Sequence, residues 1–322
     1  MHSRCRARKV ASASDFSFCH LSVGSSNELA ESTDPRSQSR APRVRTRICV
    51  LISYVPIPSQ RIKSGDAEIV YWSLGDGPPV VLLHPFPVHH EFWLPVAESL
   101  ATRYRVLLPD LRGHGESGVG EGPATMERHA ADLARVMDDA NMGRAPLVGV
   151  SIGGYLLFEF WRKHRGRVAA LGLCNTKAPA DGPEARAVRL QAANDVLERG
   201  TEPFFESIIP RLFGKTTRET RPDLVESALR MMRQMSPEDV AQVQRGMAAR
   251  PGSVETLKTI NVPTLLVTGD EDILTGTNEA ELMRQHIVNS QLRVIPKAGH
   301  YSPWEQSQDA ATILRQFLDS LR

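Results

Sequence analysis

The chain has 322 residues, 41% of them apolar and 24% charged, with a net charge of +2 at neutral pH. This apolar share is ordinary for a globular protein, and the length allows one large α/β domain of about 250 residues together with additional segments. The longest apolar run, residues 48–55, is too short for the roughly 20 residues of a membrane-spanning helix, so we expect no membrane span.

The positive charge lies at the N-terminus. Residues 1–47 hold nine Lys and Arg against four Asp and Glu, which leaves the rest of the chain at −3. Residues 1–60 are rich in Ser and Arg and lack sustained periodicity, so we predict a disordered or mis-assigned N-terminal extension, with a targeting peptide as the alternative. The body shows no basic stripe with interleaved aromatic residues, so no nucleic-acid partner is expected.

The cysteines favour a reducing compartment. Three of the four lie near the N-terminus, and only Cys174 is in the body, where it has no partner for an internal bridge. We therefore expect a cytoplasmic protein. No CxxC pair and no metal-ligand spacing is present, so no metal site is expected.

From residue 61 onward, short apolar runs alternate with helical patterns. Continuous apolar runs bounded by turn residues are typical of strands buried on both faces. The predicted strands of the first half are 67–72, 80–84, 104–110, 145–150 and 168–175. Helical patterns separate them, most clearly at 126–140.

The alternation stops after residue 175. Residues 176–258 contain several helical segments, rich in Phe and Met, and no convincing strand. Strands at 262–270 and 291–296 then flank a helix near 277–287, and a final helix follows. We predict an α/β fold at 61–322, with a mostly parallel sheet, helices on both faces and a helical lid at 176–258.

Parallel α/β sheets place their ligand sites at the carboxyl ends of the strands. The polar residues and loops found just after the predicted strands are 84–87, 110–117, Ser151, Asn175, 270–272 and His300. This set contains a hydroxyl group, carboxylates and a histidine in the chain order Ser, Asp, His.

Ser151 is the candidate nucleophile. It lies between Gly149 and Gly153, where a buried strand turns into an apolar helix. A serine in such a tight turn needs small neighbours and projects its hydroxyl above the sheet, towards the positive end of the following helix. A tight turn or helix N-cap that happens to contain serine is the alternative, and the strand–turn–helix context favours the nucleophile.

A neutral serine hydroxyl needs a base within hydrogen-bond reach. We predict His300, because it follows the last strand in a short loop after Gly299 and comes last in the chain order. Four further histidines near strand ends compete for this role: His84, His89, His90 and His114.

The acid that orients His300 should come from the loop at 270–272. Asp270 is nearest to the strand and belongs to the turn, whereas Asp272 lies two residues further along, where a loop can reach the histidine. We predict Asp272, with Asp270 as the next candidate.

Two backbone N–H groups should stabilise the oxygen that becomes negative during the attack. The N–H of Ile152 directly follows the nucleophile. Pro85 has no N–H, so Phe86 is the second predicted donor, and Pro87 restricts Phe86 to an extended conformation.

Taken together, these segments resemble the α/β-hydrolase superfamily over about residues 61–322. The matching motifs are "LLHPFP", "PDLRGHGES", "GVSIGG", "LCNT", "VTGDEDILT" and "AGHYSPWEQ". "LCNT" is similar to the 3-oxoadipate enol-lactonase group within the lid-bearing esterases. The resemblance implies a triad of Ser151, Asp272 and His300, with Phe86 and Ile152 at the oxyanion positions. The family usually has His-Gly where this chain has His84 and Pro85.

The resemblance implies acyl transfer through an acyl-serine, without a metal or organic cofactor, on a small-molecule ester or lactone. Trp93 and Trp304 lie close in sequence to the catalytic loops and are the predicted substrate contacts. Few cationic residues occur in these loops, so a small neutral or weakly polar ester is expected.

Several other functions are compatible with the same triad. They are a C–C bond hydrolase, a cofactor-free perhydrolase or haloperoxidase, and an acyltransferase. A non-catalytic small-molecule receptor is less favoured, because all three triad residues are present. No oligomeric state is predicted.

Overall fold

The computed structural model describes residues 57–322. Within this range, eight strands form a single sheet. The strands are β1 Ser59–Ser64, β2 Ala67–Leu74, β3 Pro79–Leu83, β4 Arg105–Pro109, β5 Ala145–Val150, β6 Val168–Cys174, β7 Thr264–Gly269 and β8 Ser290–Ile295.

Helices occupy most of the remaining described chain. The α-helices are α1 Leu94–Ala101, α2 Met126–Asp139, α3 Ile152–His164, α4 Pro183–Arg199, α5 Glu202–Leu212, α6 Lys215–Thr220, α7 Pro222–Met232, α8 Pro237–Ala248, α9 Val254–Leu257, α10 Thr277–His286, α11 Ser302–Glu305 and α12 Ser307–Asp319. Short 3₁₀ helices span His90–Trp93 and Arg165–Arg167.

The sheet is mostly parallel. Its strand order is β1-β2-β4-β3-β5-β6-β7-β8, and only the β1/β2 and β2/β4 pairs are antiparallel. The central strands β3, β5 and β6 are almost fully buried, which explains their continuous apolar sequences. The carboxyl ends of β3, β5, β6 and β7 therefore meet at one edge of the sheet.

Helices cover both faces of this sheet. α1 connects β3 to β4 on one side of β3, and α2 connects β4 to β5 on the other side. Because such crossovers between parallel strands are right-handed, the two helices lie on opposite faces of the sheet. α1 packs against α12, and α2 packs against α3. α2 is strongly amphipathic, and Thr125 caps it by accepting a hydrogen bond of 3.3 Å from the Arg128 N–H.

The predicted lid segment consists of helices joined by loops. Between β6 and β7 the structure has six helices, α4 to α9, and α4 packs closely against α8. Three of these helices begin at a proline, Pro183, Pro222 and Pro237, whose fixed φ angle suits the first helical position. Ser236 and Asp239 form a reciprocal capping box at the start of α8.

One boundary differs from the sequence-based expectation. Ser59 and Gln60, which we assigned to the N-terminal extension, begin the edge strand β1. Its sequence, SQRIKS, carries a single apolar residue, so the strand has no periodic signal of its own and is defined by pairing with β2. Residues 1–56 of the predicted extension lie outside the described residues.

Across residues 57–322, no helix is both long and apolar enough to cross a membrane.

Candidate active site

Ser151 occupies a strained turn between β5 and α3. Its backbone angles, φ 54° and ψ −111°, lie in a region that side-chain-bearing residues rarely adopt. Glycine is required on both sides. A Cβ atom at Gly149 would lie 2.4 Å from the Gly153 carbonyl carbon, and one at Gly153 would lie 2.9 Å from the Leu83 oxygen.

The end of β6 holds this turn in place. The Ser151 N–H donates to the Cys174 carbonyl at 3.0 Å, and the Thr176 hydroxyl donates to the Ser151 carbonyl at 2.8 Å. Gly154 allows the close approach, since a Cβ there would lie 2.4 Å from the Thr176 hydroxyl oxygen. The strain at Ser151 is thus balanced by bonds from the neighbouring strand.

His300 and Asp272 form a buried pair at the same edge of the sheet. The His300 Nδ1 lies 3.1 Å from Oδ2 of Asp272 and 3.3 Å from Oδ1. The two residues are only 3% and 7% exposed. The carboxylate fixes the orientation of the ring and its Nδ1–H. The Nε2 of the neutral ring is then able to accept a proton.

Four further groups bond to the Asp272 carboxylate. Oδ2 accepts from the Asn175 amide at 2.9 Å and the Thr275 hydroxyl at 2.7 Å, and Oδ1 accepts from the N–H groups of Leu274 and Thr275. Burial alone would raise the pKa of this carboxyl. The His300 charge and hydrogen bond, followed by the bonds from Asn175 and Thr275, outweigh burial and hold the pKa well below its usual range.

The other two acids of the loop have different partners. Asp270 accepts a bond of 3.3 Å from the Ala298 N–H, and Glu271 accepts a bond of 2.8 Å from the Thr216 N–H in the lid. Of the three candidate acids, the structure therefore brings only Asp272 to His300.

The four competing histidines lie elsewhere. His300 is the histidine that lines the cavity described below, and the competitors are absent from its described wall. His90, for example, contacts Asp110, with its Nδ1 2.9 Å from the Asp110 Oδ1.

His84 instead holds the loop after β3. The Leu111 N–H donates to Nε2 of His84 at 2.8 Å, which leaves Nδ1 to donate to the Pro85 carbonyl at 3.0 Å. Burial, followed by the charge of His114, lowers the pKa of His84 well below its usual value, so the ring is neutral, as these two bonds require.

The two predicted oxyanion donors have free N–H groups. Within the described chain, neither the Phe86 nor the Ile152 N–H donates to another protein group. The carbonyl of Phe86 is tied down, because the buried Tyr301 hydroxyl donates to it at 3.0 Å. The loop after β3 is thus anchored to the residue that follows His300.

Ser151 and His300 open into one cavity of about 310 Å³. No direct hydrogen bond joins the Ser151 hydroxyl to the His300 ring in the described structure, and such bonds often form fully only when substrate binds. The wall consists of Phe86, Ser151, Tyr155, Lys177, Asp181, Ala185, Val188, Arg189, Ala192, Phe204, Ile208, Arg211, Leu212, Gln244, Met247, Leu274, Thr275 and His300. Helices α4, α5 and α8 supply much of it, so the lid roofs the cavity.

The cavity wall is more cationic than the catalytic loops suggested. It includes Lys177, Arg189 and Arg211, with Asp181 as the acidic side chain. The sequence did not reveal these residues because all four lie in the lid segment, 176–258, where nothing in the sequence indicates which residues face inward.

The structure does not place Trp93 or Trp304 on the described cavity wall. Trp93 is fully buried, and Trp304 packs in an aromatic cluster with Phe92, Phe213 and Tyr301 beside the His300 loop. Both tryptophans lie close in sequence to the catalytic loops and pack in the buried core, and their contact with substrate stays a prediction.

A group of possible metal ligands lies away from this cavity. Atoms of His89, His90 and Glu91 lie within 4.8 Å of one another. None of the three lines the cavity, so this group has no evident part in chemistry at Ser151.

Comparison with known proteins agrees with this architecture. Residues 78–307 match the family described as alpha/beta hydrolase fold. The chain is 27% identical over 250 residues to 3-oxoadipate enol-lactonase 1 of Acinetobacter baylyi, an alignment covering 77% of this chain and 91% of that protein.

Two solved structures are similar over most of their length. A thermophilic esterase from Thermogutta terrifontis, solved with malate bound, is 39% identical with a TM-score of 0.79, covering 81% of this chain and 99% of the esterase. The enol-lactonase from Burkholderia xenovorans LB400 is 25% identical with a TM-score of 0.76, covering 81% and 100%. With the family match extending over most of the chain, this protein belongs to the α/β hydrolase fold family.

Proposed function

We propose that this protein is a serine hydrolase that cleaves a small carboxylic ester or lactone through an acyl-serine intermediate. The observation that carries the proposal is the buried His300–Asp272 pair, 3.1 Å apart, opening into the same cavity as the strained Ser151 turn. The likeness to an esterase and to enol-lactonases supports this class of substrate.

Ser151 attacks the carbonyl carbon and forms the new C–O bond, while the Nε2 of His300 takes the hydroxyl proton. Asp272 stabilises the resulting imidazolium and keeps its Nδ1–H pointed at the carboxylate. His300 then returns the proton to the leaving alkoxide as the ester C–O bond breaks. Water, activated by the same ring, hydrolyses the acyl-serine and releases the acid.

The N–H groups of Phe86 and Ile152 are the proposed oxyanion donors. Both are without protein partners in the described chain, and Ile152 begins helix α3, whose positive end favours a developing negative charge. Pro85, at the position where the family usually has glycine, leaves the Phe86 N–H in place because only its own nitrogen lacks a proton.

A fluorophosphonate probe tests this function. We expect it to label the wild-type protein and to leave Ser151→Ala unlabelled, and we expect the wild type to hydrolyse 4-nitrophenyl esters of graded chain length or simple lactones. Ser207→Ala is the matched control. Ser207 is an exposed lid serine that donates to the Phe204 carbonyl, so this variant should label normally.

Labelling that persists in Ser151→Ala would overturn the assignment of the nucleophile. Labelling at Ser151 without turnover of any ester or lactone would contradict the proposed substrate class and favour the C–C hydrolase or perhydrolase chemistry that the same triad permits.

A further inference from the structure

We infer that the cavity binds an ester or lactone that carries a carboxylate group, held by Lys177 and Arg211. This inference deepens the proposed function and rests on it. It arises from an imbalance of charge on the cavity wall, where cations outnumber carboxylates.

Asp181 lies at the centre of a cluster that it forms with Lys177, Arg189 and Arg250. Its side chain is 2% exposed and bonds to both nitrogens of the Arg250 fork, at 2.6 and 2.9 Å. It also accepts a bond of 2.6 Å from the Arg189 Nε and lies 3.3 Å from the Lys177 ammonium. Burial would raise the pKa of this carboxyl, but the bond from Arg250 and the charges of both arginines hold it well below its usual range.

One carboxylate thus faces three cations, so two positive charges remain uncompensated within the cluster. Arg250 is fully engaged, since it also bonds to two backbone carbonyls and stacks on Tyr155. Arg189 bonds to Gln244 as well. In the part of the chain that the structure describes, the Lys177 ammonium has only the 3.3 Å contact with Asp181. Because an ammonium carries three donors, Lys177 is the member of the cluster with free capacity towards the cavity.

Arg211 adds a further positive charge to the wall. It lies near the end of α5, is exposed, and has no hydrogen bond or ion pair within the described chain. Its guanidinium presents a planar fork that suits a carboxylate in a bidentate arrangement.

No carboxylate other than Asp181 occurs on the described wall. The Lys177 ammonium is half-buried and is therefore screened less by solvent than a surface cation. Both Lys177 and Arg211 are stabilised when an anion joins them. A substrate carboxylate supplies this anion, while the ester or lactone carbonyl lies at Ser151. The positive wall would equally disfavour a cationic substrate.

Two esters of the same acyl length test the inference. These are 4-nitrophenyl hydrogen glutarate, which carries a carboxylate, and 4-nitrophenyl pentanoate, which does not. We expect wild-type kcat/KM to be higher for the glutarate ester at low salt and the preference to shrink as ionic strength rises. Lys177→Met and Arg211→Met should each reduce the ratio of the two kcat/KM values by about tenfold, the effect of one charge-assisted hydrogen bond.

Lys215→Met is the matched control. Lys215 is an exposed lid lysine paired with Glu219 and is not on the described cavity wall, so this variant should keep the wild-type ratio. Arg211 bonds to no other described residue, so its replacement tests the inference without loss of a structural contact.

The outcomes separate the two proposals. If the wild type cleaves the pentanoate ester but shows no preference for the glutarate ester, or if both variants keep the wild-type ratio, the carboxylate site is refuted while the serine hydrolase stands. If the wild type cleaves neither ester nor any lactone, the proposed function fails first.

Discussion

Specific hydrogen bonds orient the key groups of the candidate site. Asp272 is surrounded by donors that favour its charged form, and Tyr301 fixes the carbonyl of Phe86 at 3.0 Å. Ser151 itself sits in a backbone conformation that only its anchored neighbours permit. These contacts preorganise the candidate site, which is a condition for stabilising a transition state.

The role of Asp272 is tested by Asp272→Asn. The amide cannot stabilise an imidazolium or hold the ring in the required tautomer, so we expect kcat to fall by roughly 10²- to 10⁴-fold with a smaller change in KM. Asp270→Asn is the control, because Asp270 contacts the Ala298 N–H and not His300. Steady-state kinetics with one 4-nitrophenyl ester compares them, and equal losses in both variants would contradict the assignment.

Tyr301→Phe isolates one hydroxyl group. The variant keeps the buried ring and its aromatic contacts but frees the Phe86 carbonyl. Because the bond orients the loop that carries an oxyanion donor, we expect kcat to fall about tenfold, KM to stay nearly constant and the pH profile to keep its shape. A lower thermal stability with unchanged kcat would show that the hydroxyl serves packing alone.

Hydrogen bonds join the lid to the loops that carry His300 and Asp272. The Glu305 carboxylate accepts bonds of 2.9 Å from the N–H groups of Gly214, between α5 and α6, and of Gly299, next to His300. Glu271, next to Asp272, accepts from the lid residue Thr216. Movement of this part of the lid therefore acts directly on the loops that position His300 and Asp272.

Gly214→Ala tests this coupling. A Cβ there would lie 2.5 Å from the Glu271 carboxylate and 2.8 Å from the Gly299 nitrogen, although the backbone φ of −60° suits alanine. We expect a loss of about 1–3 kcal/mol in the free energy of unfolding, measured with urea, and a reduced kcat. Gly182→Ala, in open space at the start of α4, is the control and should leave both unchanged. A Gly214 variant with wild-type stability and kcat would contradict the coupling.

The strands and the tight turn at Ser151 were predictable from the sequence, for a physical reason. Buried parallel strands need continuous apolar runs, and the turn at Ser151 needs glycines, so both leave local signals. The edge strand β1 and the cluster around Asp181 leave none, because each is defined by partners distant in the chain. Trp93 shows the converse, since an aromatic residue near a catalytic loop proved to belong to the core.

Over the whole molecule, buried neutral histidines link stability to pH. Burial lowers the pKa of His114 to about 4, and it lowers that of His129 well below its usual value. The folded state holds these rings neutral, while the unfolded chain takes up protons below about pH 6.5. Their contribution to stability is therefore complete above about pH 6.5 and is lost as the pH falls towards 4.

His129→Leu tests this linkage. Within residues 57–322, neither ring nitrogen of His129 has a hydrogen-bond partner, so leucine removes a titrating group without breaking a described bond. We expect the free energy of unfolding, measured with urea between pH 7 and pH 4, to fall less steeply in the variant than in the wild type. Parallel curves for the two proteins would show that His129 does not contribute.

In the proposed function, Ser151 carries the acyl group during turnover. Mass spectrometry of the protein quenched in acid while it hydrolyses a 4-nitrophenyl ester, followed by peptide mapping, detects this group most directly. We expect a mass increase of one acyl group, located on Ser151 and absent from Ser151→Ala. An acyl group mapped to another residue, or undiminished hydrolysis by Ser151→Ala, would refute Ser151 as the nucleophile.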